Sequence, residues 1–399
     1  MGDMERYAPE RVKRVVLLIG LFSSYSQGIL RGINSWIKIA GNWQCAGVHT
    51  PPAIALAATA ILARQRPDGI IAAITDEAVA KALRRLRVPV VDICDWFPAY
   101  RFPRLQPDDV AVGRLAAAHL LECRLRSFGF AGDFRASWCR RRFEGFAAAL
   151  GEAGFSCHRF DGAAHPTSEW MAASWFASSP ELITWIAKLP KPIGLMGAND
   201  QWGIHLSAST NGIHVPEDAA IIGVDNDTLL CELARPPLSS VATDTERIGY
   251  EAAALLDRMM KGQSAPTETI LIPNRGVVTR QSTSMLAVND KNVADAVRFI
   301  RESSGKGISV AHVLARIPES RRTLERRFRK LLNRGIWEEI RRVRLEGAMI
   351  LLRDSDLPLK ALAPRVGFSS ADRLGRAFRQ FSGQTPRAYR MQFRTAKIG

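Results

Sequence analysis

Several short apolar runs in this 399-residue chain are followed at once by residues that could hold a polyhydroxylated ligand. Ser23, Ser24 and Gln27 follow a run starting at Val15, Asp92 and Asp95 follow Val88–Val91, Asn199-Asp200 follows Ile193–Met196, and Asp225-Asn226-Asp227 follows Ala220–Val224. Carboxylates, amides and guanidinium groups make planar, paired hydrogen bonds that sugar hydroxyls can satisfy, and a tryptophan face packs against their C–H edges. Taken singly each is weak, because an aspartate after a strand is more often a turn former or a helix cap. A different chemistry stands near the C-terminus. At helical spacing, Arg321, Arg322, Glu325, Arg326 and Arg329 fall opposite Leu324, Phe328 and Leu331; Ala371, Asp372, Arg373 and Arg376 fall opposite Leu374 and Phe378. Arginine-rich helix faces suit the base edges and phosphates of double-stranded DNA.

The charge distribution supports that division. From Asp290 to Gly399 there are 25 Lys and Arg against 11 Asp and Glu, so +14 of the formal +16 lies in this part. Such an excess calls for a polyanion. A membrane surface would attract it too, but the basic residues lack the exposed aromatic or leucine stripe of an interfacial helix, so no membrane partner is expected. Cys45, Cys94, Cys123, Cys139, Cys157 and Cys231 form no CxxC pair, and the seven histidines are dispersed. No metal, cofactor or disulfide framework is therefore expected, and a reducing cytoplasm fits. The run Val15 to Phe22 has no small-x-small cleavage site after it and reads as a buried first strand rather than a signal peptide. Neither G-x-S-x-G nor H-E-x-x-H occurs, so no catalytic residues are assigned and an enzyme is not expected.

The elements that must position these groups differ between the two parts. From Val12 to about Gly276, apolar runs without strict alternation alternate with helical segments, which is the pattern of parallel strands buried on both faces with helical crossovers. This predicts an open α/β architecture in two lobes, with the site at the carboxyl ends of the strands. The expected division is a tail over 1–11, a two-lobed domain over 12–280, a small, polar linker over 281–291 and an all-helical domain over 292–399. In the last, Ser309 caps Val310–Arg316, Pro318 ends that helix, and Ser320 caps Arg321–Leu332. A spacer helix follows over Ile336–Leu352 with Ile340, Val343, Gly347, Ala348 and Leu351 on one stripe. The grammar then repeats, with a helix over Leu359–Val366, a turn at Gly367-Phe368, and Ser369 or Ser370 capping a helix through Gln380. Two helix-turn-helix motifs, at about 309–332 and 358–381, would enter successive major-groove turns about 34 Å apart. The expected groove set is Ser320, Arg321, Arg322, Glu325, Arg326, Ser370, Ala371, Asp372, Arg373 and Arg376.

These residues resemble the AraC-type activators, whose paired helix-turn-helix ends in a G-F-x(9)-F-x(4)-G-x-T-P-x-x-Y-R phrase. It stands here as Gly367-Phe368, Phe378 and Gly383-Gln384-Thr385-Pro386-Arg387-Ala388-Tyr389-Arg390. Leu324–Phe328 and Arg344–Ala348 occupy the places of L-x-R-x-F and R-L-x-x-A. Two departures are Arg373-Leu374 in place of an aromatic pair, and Pro364 late in the preceding helix, so the sequence sets no base preference for the second motif.

The first part resembles the effector domain of LacI-type repressors and periplasmic sugar-binding proteins. The resemblance rests on Gly197–Asp200, Gly212–Asp218, Ile221–Asp227, Pro236–Val241 and Ile248–Ala253. It implies the type I periplasmic-binding-protein-like fold, with Arg142, Asn199, Asp225 and Asp108 at ligand-contacting positions; Thr243 stands where many members have Gln. A LacI-type sensor in front of AraC-type motifs is similar to the xylose-operon activator family along the whole chain. That resemblance implies D-xylose as effector, a homodimer on operator DNA, contact with RNA polymerase and a nucleoid-associated cytoplasmic location. Trp138, four residues before Arg142, either stacks on the sugar or belongs to the core.

Overall fold

The computed structural model describes residues 11–21, 23–40, 42–47, 66–162, 178–284, 290–332 and 334–395. Most of the expected tail and residues 285–289 of the expected linker lie outside these. The contacts divide the chain into two units, Met1–Met285 and Leu286–Gly399.

In the first unit β1 (Lys13–Leu18), α1 (Ser24–Ala40), β2 (Trp43–Gly47), β3 (Gly69–Ala72), α2 (Glu77–Arg85) and β4 (Val90–Asp92) build one lobe. Its parallel sheet has the order β2-β1-β3-β4. β5 (Leu105–Pro107) leads into the other lobe, made of α3 (Asp109–Glu122), β6 (Ser127–Gly132), α4 (Ser137–Glu152), β7 (His158–Asp161), α5 (Pro180–Lys188), β8 (Ile193–Gly197), α6 (Asp200–Ala208), β9 (Ala219–Val224), α7 (Thr228–Leu233) and β10 (Ser239–Ala242). α8 (Thr245–Met260) returns to the first lobe, where Ile248 and Leu255 pack with Val15 and Ile71. β11 (Ile270–Ile272) pairs with β5, and β12 (Gly276–Val278) rejoins the second sheet, ordered β12-β10-β9-β8-β6-β7, as its antiparallel edge. One of the crossings between the lobes is tied to another by the Asn274 amide donating to the Asp108 carbonyl oxygen at 2.9 Å.

The central strands carry the uninterrupted apolar runs because both faces are covered: every residue of β3, β8 and β9 is buried. The strands that the apolar pattern did not mark are short or at edges. In β2 all but Trp43 are exposed, and β7 reads His-Arg-Phe-Asp with no buried residue.

Gln281–Thr283 departs from its reading as linker. It forms a 3-10 turn with Ser282 and Thr283 buried, because their hydroxyls bond to the sheet: Ser282 Oγ donates to the Ile221 carbonyl at 2.5 Å and accepts from the Ser239 N–H at 2.8 Å. Small polar residues read as loop in sequence, yet here they satisfy buried backbone groups.

The second unit is helical: α9 (Lys291–Ser303), α10 (Val310–Arg316), α11 (Arg321–Leu332), α12 (Ile336–Asp354), α13 (Leu359–Arg365), α14 (Ala371–Ser382) and α15 (Pro386–Thr395). It has two small cores strung on α12. Ile336, Ile340 and Val343 pack with α9, α10 and α11, whereas Leu345, Ala348 and Leu352 pack with α13 and α14. The Arg344 guanidinium joins the two, donating to the Ile308 carbonyl at 2.6 Å and lying 5.9 Å from the Trp337 ring and 6.0 Å from the Phe368 ring. One inward assignment is corrected. Leu331 is 38% exposed and Leu332 is buried instead, since the face that runs from Leu324 to Phe328 is continued by a second step of four residues.

Candidate functional site

Asp225 directly follows β9 and Asn199 lies two residues beyond β8, so both stand at the carboxyl edge of the second sheet. Arg142 comes up to them from α4. Its position depends on how closely α3 and α4 approach: a Cβ on Gly113 would strike the Arg142 carbonyl and one on Gly145 would strike the Val110 backbone, so only glycines let the helices meet. The close crossing sets Arg142 against Asp109, Nε to Oδ1 at 2.9 Å. Its Nη1 donates to the Ala198 carbonyl at 2.7 Å and its Nη2 lies 3.5 Å from Asp225 Oδ1. The guanidinium also lies 4.9 Å from the Trp138 ring centroid, within cation–π range, and one turn away on α4. Trp138 is partly buried and packs edge-on with Trp96 at 6.5 Å, so it has both a core contact and a face on the cluster.

The electrostatics hold this arrangement together. Burial works against the charge of Arg142, but Asp225 and Asp109 outweigh it and keep the guanidinium more firmly protonated than usual. Burial raises the Asp225 carboxyl above the ordinary range, opposed by Arg142. Asp225 has φ +97°, a region that non-glycine residues rarely occupy and that is stored at functional sites. Thr243 Oγ1 reaches the same Asp225 Oδ1 at 3.5 Å.

The cluster continues into the first lobe, where Asp92 and Asp95, marked in the sequence, meet arginines that it did not single out. Arg141 pairs with Asp109 at 2.9 Å and with Asp95 at 2.7 Å, and Arg104 pairs with Asp95 at 2.7 Å and Asp92 at 3.0 Å. The Ser137 hydroxyl donates to the Asp95 carbonyl. Tyr25, half-buried on α1, donates to the Ile93 carbonyl at 3.2 Å, and its phenol is pushed up by burial together with Cys94, Asp225 and Asp109. Asp109 had one signal in the sequence, its place beside Asp108. Arg104 and Arg141 had none, because an arginine in an ordinary helix or strand edge reads as solvated surface.

Other candidates are engaged in local structure. Asp108 Oδ1 accepts the Ala111 N–H at 2.9 Å and Asn199 Oδ1 the Trp202 N–H at 3.0 Å, each as the N-cap of the following helix. Ser23 bonds to Ser26, and Gln27 donates to the Leu21 carbonyl at the start of α1. Asn226 bonds to Arg280 at 2.8 Å and Asp227 caps α7, which leaves Asp225 as the member of that triplet in the cluster. Asp200 is buried beneath them, accepting the Asp227 N–H and the Ser240 hydroxyl, each at 2.6 Å; burial and the neighbouring Asp225 push its carboxyl up to about 8. Among the described residues no group of three or more His, Cys, Asp or Glu is placed to hold a metal ion, and no helix is long and apolar enough to cross a membrane.

In the second unit, Ser320 Oγ accepts the Thr323 N–H and Ser370 Oγ the Arg373 N–H, both at 3.2 Å, starting α11 and α14 where the caps were expected. Arg321, Arg322 and Arg326 on α11, and Asp372, Arg373 and Arg376 on α14, are exposed; Ala371 is half-buried. Glu325 is also half-buried, and its Oε2 accepts the Ile336 N–H at 3.3 Å, so it serves the start of α12. The departing pair Arg373-Leu374 divides: Leu374 is fully buried and Arg373 alone is presented. Pro364 lies one residue from the end of α13, where it withholds one donor from the last turn, and the Val366 and Gly367 N–H groups close that turn onto the Leu362 and Pro364 carbonyls at 3.3 and 3.1 Å. Gly367, at φ +79°, makes the turn between the two helices.

A two-lobed α/β unit with a polar cluster at its strand ends, followed by paired helix-turn-helix motifs with basic faces, defines a DNA-binding transcription regulator with its own sensor. Residues 117–283 match the periplasmic binding protein-like domain and residues 314–392 a helix-turn-helix domain. The chain is 28% identical over 393 residues to the xylose operon regulatory protein of Haemophilus influenzae, covering 96% of this chain and 99% of that one. It is 29% identical over 334 residues to the protein of the same name from Escherichia coli K12, covering 81% and 83%. A solved xylose-binding transcription activator superposes with a TM-score of 0.78 at 26% identity, covering 95% of this chain and 98% of that one. Along nearly its whole length the chain is thus similar to the xylose operon regulatory proteins.

Proposed function

We propose that this regulator is a D-xylose-responsive activator of a pentose-utilisation operon, binding the sugar between the two lobes of its sensor. The observation that carries the reading is the buried Arg142, held by Asp109 and bearing on Asp225 beside the Trp138 face, in a chain resembling xylose regulators along nearly its full length. Arg142 and Asp225 offer donor and acceptor to adjacent hydroxyls, Asn199 adds its side-chain amide, Trp138 covers the C–H face, and Asp108 lies at a crossing between lobes. Sugar binding favours the closed arrangement by its differential affinity for the two states. In the second unit Ser320, Arg321, Arg322, Arg326, Ser370, Ala371, Asp372, Arg373 and Arg376 face the DNA, with Glu325 holding α12 at the edge of that surface. A cytoplasmic, nucleoid-associated homodimer would place the paired motifs on operator DNA beside RNA polymerase, with no catalytic step of its own. Calorimetry and thermal shift with D-xylose and its epimers test the reading. Saturable stabilisation by D-xylose that Asp225→Ala abolishes is expected, and a response to another monosaccharide alone would reassign the effector.

A further inference from the structure

Resting on that effector reading, we propose that Arg280 is a positioning residue that carries effector occupancy from the Asp225 loop to the segment by which the chain leaves the sensor. Asp225 and Asn226 both have positive φ, +97° and +53°, so the loop keeps its shape only through its partners. The Asn226 N–H donates to Ser240 Oγ at 2.9 Å, and Ser240 and the Asp227 N–H both donate to Asp200 at 2.6 Å. A ligand pulling on Asp225 therefore moves Asn226 with it.

Asn226 Oδ1 accepts from Arg280 Nη2 at 2.8 Å. The rest of that guanidinium is equally committed: Nε pairs with Glu232 at 2.9 Å, Nη1 donates to the Leu238 carbonyl at 3.0 Å, and the side chain is 8% exposed. Because the guanidinium is a rigid planar fork, it cannot follow Asn226 without disturbing one of its other two bonds. Its own backbone begins the exit segment. The Arg280 N–H donates to Ser239 Oγ at 2.7 Å, Thr283 Oγ1 donates to the same oxygen at 2.7 Å and meets His119 Nε2 at 2.7 Å, and Ser282 bonds across to Ile221. Residues 280–283 are thus bonded to β9 and β10, the strands that lead into Asp225 and Thr243, immediately before the chain continues towards the DNA-binding unit.

Asn226→Ala cuts the link to the ligand loop while leaving Arg280 held by Glu232 and Leu238; Arg280→Lys keeps a charge for Glu232 but loses the fork; Glu232→Gln is the control that weakens the anchor and spares the link. In the full-length protein, operator affinity with and without D-xylose gives a coupling ratio, about 5-fold or more for an allosteric pair. In Asn226→Ala and Arg280→Lys it is expected to fall below about 2-fold, with D-xylose affinity by calorimetry within about threefold of wild type, whereas Glu232→Gln keeps the wild-type ratio. Hydrogen exchange of the 280–284 amides without effector forms the second arm, expected to be about 10-fold faster in Asn226→Ala, as for loss of a hydrogen bond to a charged group. A wild-type coupling ratio in Asn226→Ala, or an equal collapse in Glu232→Gln, overturns the relay. If operator binding by the wild-type protein ignores D-xylose, the effector reading fails and the exchange arm decides the relay alone: faster exchange in Asn226→Ala supports it and unchanged exchange overturns it.

Discussion

Arg142 on α4 of the sensor has 4% of its side chain exposed and pairs with two carboxylates, while Arg373 on α14 of the DNA-binding unit is exposed and makes no ion pair among the described residues. The contrast extends to their neighbours. Arg104 and Arg280 of the sensor are likewise buried and paired, and Arg321, Arg322, Arg326 and Arg376 are exposed without an ion pair among the described residues. A buried guanidinium is tolerable only in the geometry its carboxylates set, so in the sensor arginine fixes structure and presents a defined donor. An exposed one contributes little to folding and keeps its fork for phosphate or guanine. The same side chain is thus a positioning device in one unit and a contact surface in the other.

The largest test of this contrast is Arg142→Ala. It leaves Asp225 buried without its cation and Asp109 with Arg141 alone, so chemical denaturation is expected to show a loss of about 3–5 kcal/mol, with D-xylose binding abolished in calorimetry. If the variant kept both stability and binding, the arginine would be dispensable to the cluster.

A second test uses the carboxyl beneath the site. Asp200, raised by burial and Asp225 to about 8 from an ordinary 3.8, binds more protons in the folded state than in the unfolded one between those values. Its contribution to stability is therefore full at low pH and is lost as the pH rises through about 8. Asp200→Asn should flatten the decline in melting temperature between pH 5 and 8, and an unchanged slope would place the titrating group elsewhere.

The smallest effect on folding, though not on function, is expected from Arg321→Ala or Arg373→Ala. Each should leave the unfolding free energy within about 0.5 kcal/mol of wild type, while operator affinity drops by about 5- to 150-fold if the arginine reads a base. A base-reading arginine relaxes preference at one operator position; a phosphate contact weakens all sites alike and lowers the salt slope by about one. A melting temperature that falls with DNA affinity would move these arginines into the structural class.

The helix-turn-helix pairs were legible from local chemistry. Ser309, Ser320 and Ser370 act within three residues of themselves, Pro318 and Gly367 act on their own backbone, and α10 and α11 have the bounds that these signals set. Buried strands such as β8 and β9 were equally legible, since an apolar run needs no knowledge of its partner. Leu331 was misassigned because one residue on a helix edge turns on where the neighbouring helix lies. In the sensor, Arg142 and Asp225 could be marked by motif, but nothing local distinguishes Asp109 from Asp108 or Arg141 from the basic residues around it. Sequence alone determined the capped helices, the buried central strands and the basic helix faces, because caps, turns and periodicity operate over one or two helical turns. Only the tertiary structure decided which charges meet: Arg142 with Asp225 across 83 residues and Arg280 with Asn226 across 54. A buried charge is held by a partner brought by the fold, and sequence spacing carries no record of that distance.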